Sequence, residues 1–328
     1  MPTSRDRILE LFQQRSDRFV SGEEICRDLG ISRTAVWKQI RQLRELGYEI
    51  EAVPSKGYQL KSTPDTLISA AVTADLGTEI VGSRVVFLAQ TDSTNVQARM
   101  LADQGAADGT VVIADQQSSG KGRLGRFWVS PSAVNLYLSI ILRPDIPLLE
   151  APRMTFLTAV AVAEAIEACG DFTPQLKWPN DVLLGGRKIA GLLNELSAET
   201  ERINYLVLGI GVNLNMPADM FPANLRSPAT SLFVASGAKV SRLDFTRNLL
   251  RRVDALYRQY LDEGFGPILA GWERRCHMIG CRVEVDYQHS RVTGTVTGLD
   301  EDGALLLRLP TGTIERVLAG DVTLIPEG

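Results

Sequence analysis

Between Ser118 and Trp128 the chain reads SSGKGRLGRFW, with three glycines, three basic residues and a tryptophan in eleven positions. Such a loop can wrap an anion: Lys121, Arg123 and Arg126 supply charge, and the glycines let backbone come close. Arginine suits a carboxylate or phosphate because its planar fork makes paired hydrogen bonds. Gly120, Gly122 and Gly125 satisfy the dinucleotide spacing G-x-G-x-x-G. That chemistry, however, needs a helix N-terminus directly after the loop to face a pyrophosphate. Here a strand precedes the loop, but Arg126-Phe127-Trp128, Pro131 and a second strand follow it. Arg126-Phe127 stands where a P-loop carries Lys-Ser/Thr, and the chain has neither the HRD nor the DFG of a protein kinase. The loop therefore holds its anion with side chains as well as backbone, and Trp128 at its edge suits a flat ligand. The plainer alternative is a basic surface loop.

A second cluster, KWPND at 177–181, runs into GGRKIAGLLNEL. Pro179 forces a turn that Asn180 and Asp181 end, and their oxygens could meet a magnesium ion. Lys188 opens the next strand, where alternation puts Ala190 and Leu192 on its face. A lysine so placed near a carboxylate is either a structural ion pair or, if the glycine loop and Asp181 converge on one pocket, a catalytic group. Gly191 would then let a ligand approach the backbone. The only histidines, His277 and His289, lie in a β-rich tail away from these motifs, which argues against a Ser-His-Asp or Cys-His hydrolase. Cys276, His277, Cys281 and His289 could ring a zinc ion. No CxxC-type spacing supports that, and buried or indifferent side chains are the favoured reading.

These motifs need a scaffold. At 328 residues the chain is long enough for two or three domains, and 45% hydrophobic with 23% charged residues is ordinary for a soluble protein. No apolar run approaches a membrane span and no signal-peptide layout is present, so a cytoplasmic protein is expected, with no membrane partner. Four scattered cysteines make no disulfide framework. The net charge of −4 is uneven: residues 1–61 carry +2 and the remainder −6. Within ISRTAVWKQIRQLR, residues 31–44, four basic residues face no acidic one.

The first sixty residues predict three short helices and a hairpin. DRILELFQQ forms the first helix. Ser21 and Glu24 form a capping box for the second, which Gly30 stops. Ser32 caps the third, whose Val36, Ile40 and Leu43 recur at helical spacing and which Gly47 ends. YEIEAVPSKGYQL then suits a hairpin around Pro54–Gly57. This is the pattern of a winged helix-turn-helix, residues 1–62. Its third helix would enter the major groove of DNA with Ser32, Arg33, Thr34, Trp37 and Lys38 outward, and Lys56 on the wing touching phosphate. A small protein-binding or merely solvated helical domain is the alternative.

Residues 63–67 read as a linker. Residues 68–275 mix strands and helices: RVVFLAQ, TVVIADQQ, NLYLSIILRP and YLVLGIGVNLN as strands, DVLLGGRKIAGLLNEL as a hairpin turning at Gly185-Gly186. NVQARMLADQG, begun by Asp92-Ser93-Thr94, is a helix. So is the alanine-rich APRMTFLTAVAVAEAIEAC, which should pack closely on a sheet, and amphipathic helices follow at 242–260 and 267–275. From Cys276 to residue 328, CRVEVDY, RVTGTVTGLD, GALLLRL and GTIERVL suggest a small β-barrel.

Taken together, TDSTN, GKGRLGRFW, NLYLS, KWPND, RKIAGLLNEL, GIGVNLN, the winged helix and the β-rich tail make the whole chain resemble a bifunctional biotin–protein ligase and biotin operon repressor. The resemblance implies an α+β protein: winged helix-turn-helix, class II synthetase-like catalytic domain, SH3-like barrel. It implies ATP and biotin as substrates with Mg2+, biotinyl-5′-AMP as intermediate, and transfer to a lysine of the biotin carboxyl carrier protein of acetyl-CoA carboxylase.

By motif, Ser93, Thr94 and Gln117 would bind the ureido ring, with Gly120, Lys121 and Gly191 bordering the biotin pocket. Arg123 and Lys188 would grip both the biotin carboxylate and the α-phosphate. Arg126, Trp128, Asn180 and Asn213 would bind adenylate, Trp128 capping the purine. Asp181 would help place magnesium and the incoming lysine; with Arg123 and Lys188 it completes the expected catalytic set. Lys121 departs from the family's usual G-R-G-R, keeping the charge without the fork. Operator DNA and a sheet-to-sheet homodimer of the adenylate-bound form are the further partners implied. The rival readings are a lipoate or octanoate ligase on the same scaffold, and a ligand-sensing repressor without ligase activity.

Overall fold

The structure is a computed structural model and describes residues 4–15, 18–45, 48–62, 65–199, 202–287 and 290–325. Gly47, Thr63 and Pro64 of the expected linker, and His289 lie outside the described residues. The chain divides into two compact units: Met1–Thr66 with Thr73–Asp75, and Leu67–Val72 with Leu76–Gly328.

The first unit holds α1 (Ser4–Gln14), α2 (Gly22–Leu29), α3 (Arg33–Glu45) and the antiparallel pair β1 (Glu49–Val53) and β2 (Gly57–Ser62). Ser21 Oγ accepts the Glu24 N–H at 3.1 Å, and Gly30 closes α2 at φ 68°. The reciprocal half of the capping box is absent because the Glu24 carboxylate instead accepts from Arg15 and Arg18, each at 2.6 Å. Ser32 Oγ accepts the Ala35 N–H at 3.2 Å and so starts α3. Val36, Ile40 and Leu43 join Ile8, Phe12 and Ile25 in a small buried core. In the wing turn, a Cβ on Gly57 would lie 2.2 Å from the Val20 carbonyl, at φ 107°, so glycine is required there.

In the second unit, short α4 (Ser69–Thr73) precedes β3 (Arg84–Thr91), α5 (Thr94–Asp103), β4 (Thr110–Gln117), β5 (Leu136–Leu142) and α6 (Arg153–Glu167). Then come β6 (Pro174–Lys177), β7 (Asp181–Leu184), β8 (Arg187–Glu199) and β9 (Arg202–Val212). They form a seven-stranded sheet ordered β3-β4-β5-β9-β8-β7-β6, antiparallel except for the β3–β4 pair. Both faces are covered: Val111 and Ile113 point into the main core with α6, while Val112 packs with Ala98 and Ala102 of α5. This is why the central strands read as continuous apolar runs. Helices α7 (Leu232–Ser236), α8 (Arg242–Glu263) and α9 (Gly266–Glu273) follow. As expected, α6 packs on the sheet; it is in addition covered by α8 and α9 and buried almost all round.

The tail forms β10 (Arg282–Tyr287), β11 (Ser290–Leu299), β12 (Leu305–Arg308), β13 (Ile314–Val317) and β14 (Asp321–Leu324). These make one antiparallel sheet ordered β13-β12-β11-β10-β14, with no β13–β14 pairing among the described residues. The expected boundary at 275/276 falls inside one compact unit. The reason is a shared core: Val283, Val285, Leu305 and Leu307 belong to the same apolar cluster as the seven-stranded sheet. Trp178 Nε1 donates to the Gly303 carbonyl at 3.1 Å and fixes the junction. Leu67, the last residue assigned to the linker, is likewise 1% exposed and in that core.

Candidate active site

A cavity of about 860 Å3 opens where the C-terminal end of β4, the N-terminus of α5, the β6–β7 turn, strands β8 and β9, loop 213–229 and β14 meet. One end is neutral and polar. The Gln117 side-chain oxygen accepts the Thr94 N–H at 2.8 Å and the Thr94 hydroxyl at 3.2 Å, while Gln117 Nε2 donates to Ser130 Oγ at 2.9 Å. Ser93 is buried beside them at the start of α5. The floor is glycine. A Cβ on Gly191 or Gly211 would lie 2.9 or 2.6 Å from atoms of the Trp128 ring.

The glycine loop folds as a tight hairpin: Gly122 donates its N–H to the Arg126 carbonyl and Trp128 to that of Gly120, both at 2.8 Å. Gly120 is required, since its Cβ would lie 2.4 Å from the Trp128 carbonyl. Lys121, Arg123, Arg126 and Trp128 all line the cavity. The Arg123 guanidinium donates to Asn180 Oδ1 at 3.2 Å and to the Gly320 carbonyl at 3.3 Å. Burial disfavours its charge, and the Asp321 and Asp181 carboxylates oppose that. Arg126 pairs with Asp321, as does Arg226 at 2.8 Å, while Arg123 stands 3.8 Å from the same carboxylate. Burial pushes the Asp321 carboxyl up, but hydrogen bonds from Arg126 and Arg226 outweigh it and hold the group below the usual carboxylate range.

Asp181 accepts from Lys188 at 2.6 Å, and Lys188 Nζ stands 5.5 Å from the Trp128 ring centroid. The expectation that Lys188 shares a face with Ala190 and Leu192 is corrected. Val182 pairs with Ala190 but Leu183 with Lys188, so Ile189 is an extra residue in β8. This bulge reverses the alternation and lays Lys188 against Gly191, whose Cβ would be 3.3 Å from Nζ. Lys188, Asp181 and the glycine loop thus converge on one cavity.

Asn180 and Asn213 also reach it, but their side chains are already engaged. Asn180 Nδ2 donates to the Leu192 carbonyl at 2.6 Å, and Asn213 Nδ2 to that of Thr230 at 3.1 Å. Four ionisable lining residues were not anticipated as part of the site: Lys177, Arg226, His277 and Asp321. Lys177 had a signal, since it opens KWPND. The others stand far from any motif in sequence and meet the site only through the fold. Among the described residues no group of three or more His, Cys, Asp or Glu could hold a metal ion.

In the first unit, Ser32, Arg33, Thr34, Trp37, Lys38 and Lys56 are all exposed. Arg33 pairs with Glu23, and Arg41 lies over the Trp37 ring at 5.9 Å. No helix among the described residues is long and apolar enough to cross a membrane.

Three family models match in chain order: an HTH domain over residues 5–59, the biotin/lipoate A/B protein ligase family over 87–213, and the biotin protein ligase C-terminal domain over 278–324. The chain is 40% identical to the bifunctional ligase/repressor BirA of Bacillus spizizenii, covering 98% of this chain and 99% of that one. It is 32% identical to the protein of that name from Escherichia coli, covering 93% of each. Among solved structures, the biotin protein ligase of Aquifex aeolicus in complex with biotin and ATP matches 75% of this chain and 100% of its own, with a TM-score of 0.65 at 29% identity. With ligase and helix-turn-helix parts aligned end to end at this identity, the chain belongs to the bifunctional biotin ligase/repressor family.

Proposed function

We propose that the chain makes biotinyl-5′-AMP from biotin and ATP, transfers biotin to a lysine of the biotin carboxyl carrier protein, and represses transcription at an operator. The observation that carries the ligase reading is one cavity with a neutral hydrogen-bonding end at Ser93, Thr94 and Gln117 and a cationic middle at Arg123 and Lys188. A ureido ring leaves water only if its donors and acceptors are met, which the first group can do. In the first step a biotin carboxylate oxygen bonds to the α-phosphorus and diphosphate leaves. Two anions must approach, so fixed positive charge at the join lowers the barrier.

In the second step the carrier amine attacks the acyl carbon and AMP leaves. The amine arrives mostly protonated, with a reference pKa of about 10.4. We assign Asp181 to receive that ammonium once Lys188 has turned from it to the phosphate. Lys121 adds charge at the loop, and Trp128, Asn180 and Asn213 line the adenylate part of the pocket. The donor set suits a magnesium ion that arrives with the triphosphate and keeps several waters: one carboxylate, Asp181, and few other oxygens. Bound there it would offset phosphate charge, while Arg123 and Lys188 orient the reacting groups. On the first unit, Arg33, Lys38 and Lys56 would meet operator phosphates and Ser32, Thr34 and Trp37 the groove, in a homodimer favoured by adenylate.

Incubation with biotin, Mg-ATP and carrier, followed by intact mass measurement, tests the ligase. One biotinyl group on one carrier lysine is expected. An unmodified carrier would overturn the ligase reading in favour of a sensor, and modification by lipoate but not biotin would favour the rival ligase.

A further inference from the structure

Two polar groups in the cavity have no part in the roles above. Cys276 bridges Leu176 in parallel, and the Leu176 N–H donates to the Arg275 carbonyl at 2.9 Å. The end of β6 is thus fastened to the segment leaving α9. Leu176 is wholly buried in the core, so the next residue on each segment, Lys177 and His277, turns the other way and lines the cavity. Lys177 makes no hydrogen bond or ion pair with a described residue, whereas Arg126 and Arg226 beside it are bound to Asp321. His277 lines the same cavity, with its Nδ1 buried and its ring held toward the Leu176 carbonyl. Buried cations are normally paired in a folded protein, and Lys177 left open in a ligand cavity points to an anionic ligand.

Their position narrows the ligand. Lys177 lies within electrostatic reach of Asp181 and Lys188 and also of Asp321 and Arg226, all lining the same cavity. It is therefore close both to residues assigned to the reacting carboxylate and α-phosphate and to the arginine cluster. Burial lowers its affinity for a proton, which a neighbouring anion would restore. His277 is held below the usual histidine range by burial and then by the Lys177 charge, against a weaker pull from the Leu176 carbonyl. It is thus a neutral hydrogen-bond donor rather than a second cation.

We propose that Lys177 and His277 seat the β- and γ-phosphates of ATP and then the departing diphosphate. As the carboxylate oxygen bonds to the α-phosphorus, the bond from that phosphorus to the α,β-bridging oxygen breaks, and its electron pair stays on the diphosphate. The Lys177 ammonium meets that new charge directly, and no proton need be transferred. The His277 imidazole aligns the group through a hydrogen bond. The proposal rests on the ligase reading above.

The test is exchange of labelled inorganic diphosphate into ATP in the presence of biotin, with diphosphate varied, beside transfer to carrier from added biotinyl-5′-AMP. Lys177→Met should raise the KM for diphosphate at least about tenfold, the usual scale of a lost hydrogen bond between charged groups. His277→Leu should raise it about three- to fivefold, a neutral donor being weaker. His277→Gln, which can keep a donor near Nε2, and Lys177→Arg should recover most of each loss. The defect should fall on the first half-reaction. Lys177→Gln asks the same question should Lys177→Met not fold. An unchanged diphosphate KM in the Lys177 and His277 variants, or a loss confined to transfer from added adenylate, would overturn the proposal. Absence of exchange by the unaltered protein would instead remove the ligase reading itself.

Discussion

Asp321 shows how one side chain far from every motif can organise a site. It is 16% exposed and meets Arg123, Arg126 and Arg226, tying the glycine loop and loop 213–229 to the tail sheet. Because its carboxyl lies below the usual range in the folded protein, the stability it contributes is fully present above its unfolded pKa of about 3.9 and is lost as pH falls through the lower folded value. Asp321→Asn should therefore lower the melting temperature at pH 7 by roughly 3 °C, an order-of-magnitude figure for a partly exposed cluster. The difference from the unaltered protein should shrink in melts taken near pH 3. An equal difference at both pH values would mean the arginines are not held by this charge. At the cavity floor the constraint is steric. A Cβ on Gly211 would stand 2.6 Å from Trp128 Nε1 and 2.7 Å from Cε2. Gly211→Ala should displace the indole and raise the Kd for biotinyl-5′-AMP about tenfold or more by calorimetry, whereas unchanged affinity would separate Trp128 from the adenylate pocket.

Elements with strong periodicity were legible because a long repeat outweighs local noise. The three N-terminal helices, the wing and the β7–β8 hairpin lie where capping residues and turn glycines put them. Four-residue β6 and β14 and five-residue α4 and α7 went unread, being too short to show a period; the equally short β7, β12 and β13 were legible from the turn glycines beside them. The bulge at Ile189 was invisible for a related reason: one extra residue leaves composition unchanged but turns Lys188 to the opposite face. Motif residues could be matched to a site, but Arg226, His277 and Asp321 could not, since only tertiary packing brings them there. The wing turn offers a test at this scale. Gly57 sits at φ 107° with no room for a Cβ beside Val20. Gly57→Ala should destabilise the first unit by about 2 kcal/mol, from backbone strain and displacement of its neighbour. Exchange protection in β1 and β2 should fall and operator binding weaken. Ligation should persist, since every cavity residue lies at or beyond Ser93.

At the scale of the whole chain, charge divides between the two jobs. Residues 1–61 carry a net +2 within a protein of net −4. A polyanion is drawn to that unit and repelled on average by the rest. Arg33 is the informative residue on α3. Its pair with Glu23 is largely exposed on both sides, so parting them for a phosphate costs little. Lys38, one turn further on, is exposed as well. Arg33→Ala and Lys38→Ala should each weaken operator binding with biotin and ATP present. If each side chain meets one phosphate, the slope of log affinity against log salt should become shallower by about one unit per substitution. A base-edge contact would leave the slope nearly unchanged and relax sequence preference instead, so titrations at several salt concentrations on operator and scrambled duplexes separate the two. Carrier biotinylation by the same variants should run at the rate of the unaltered protein. A matching loss of both activities would mean that α3 serves the fold rather than the DNA.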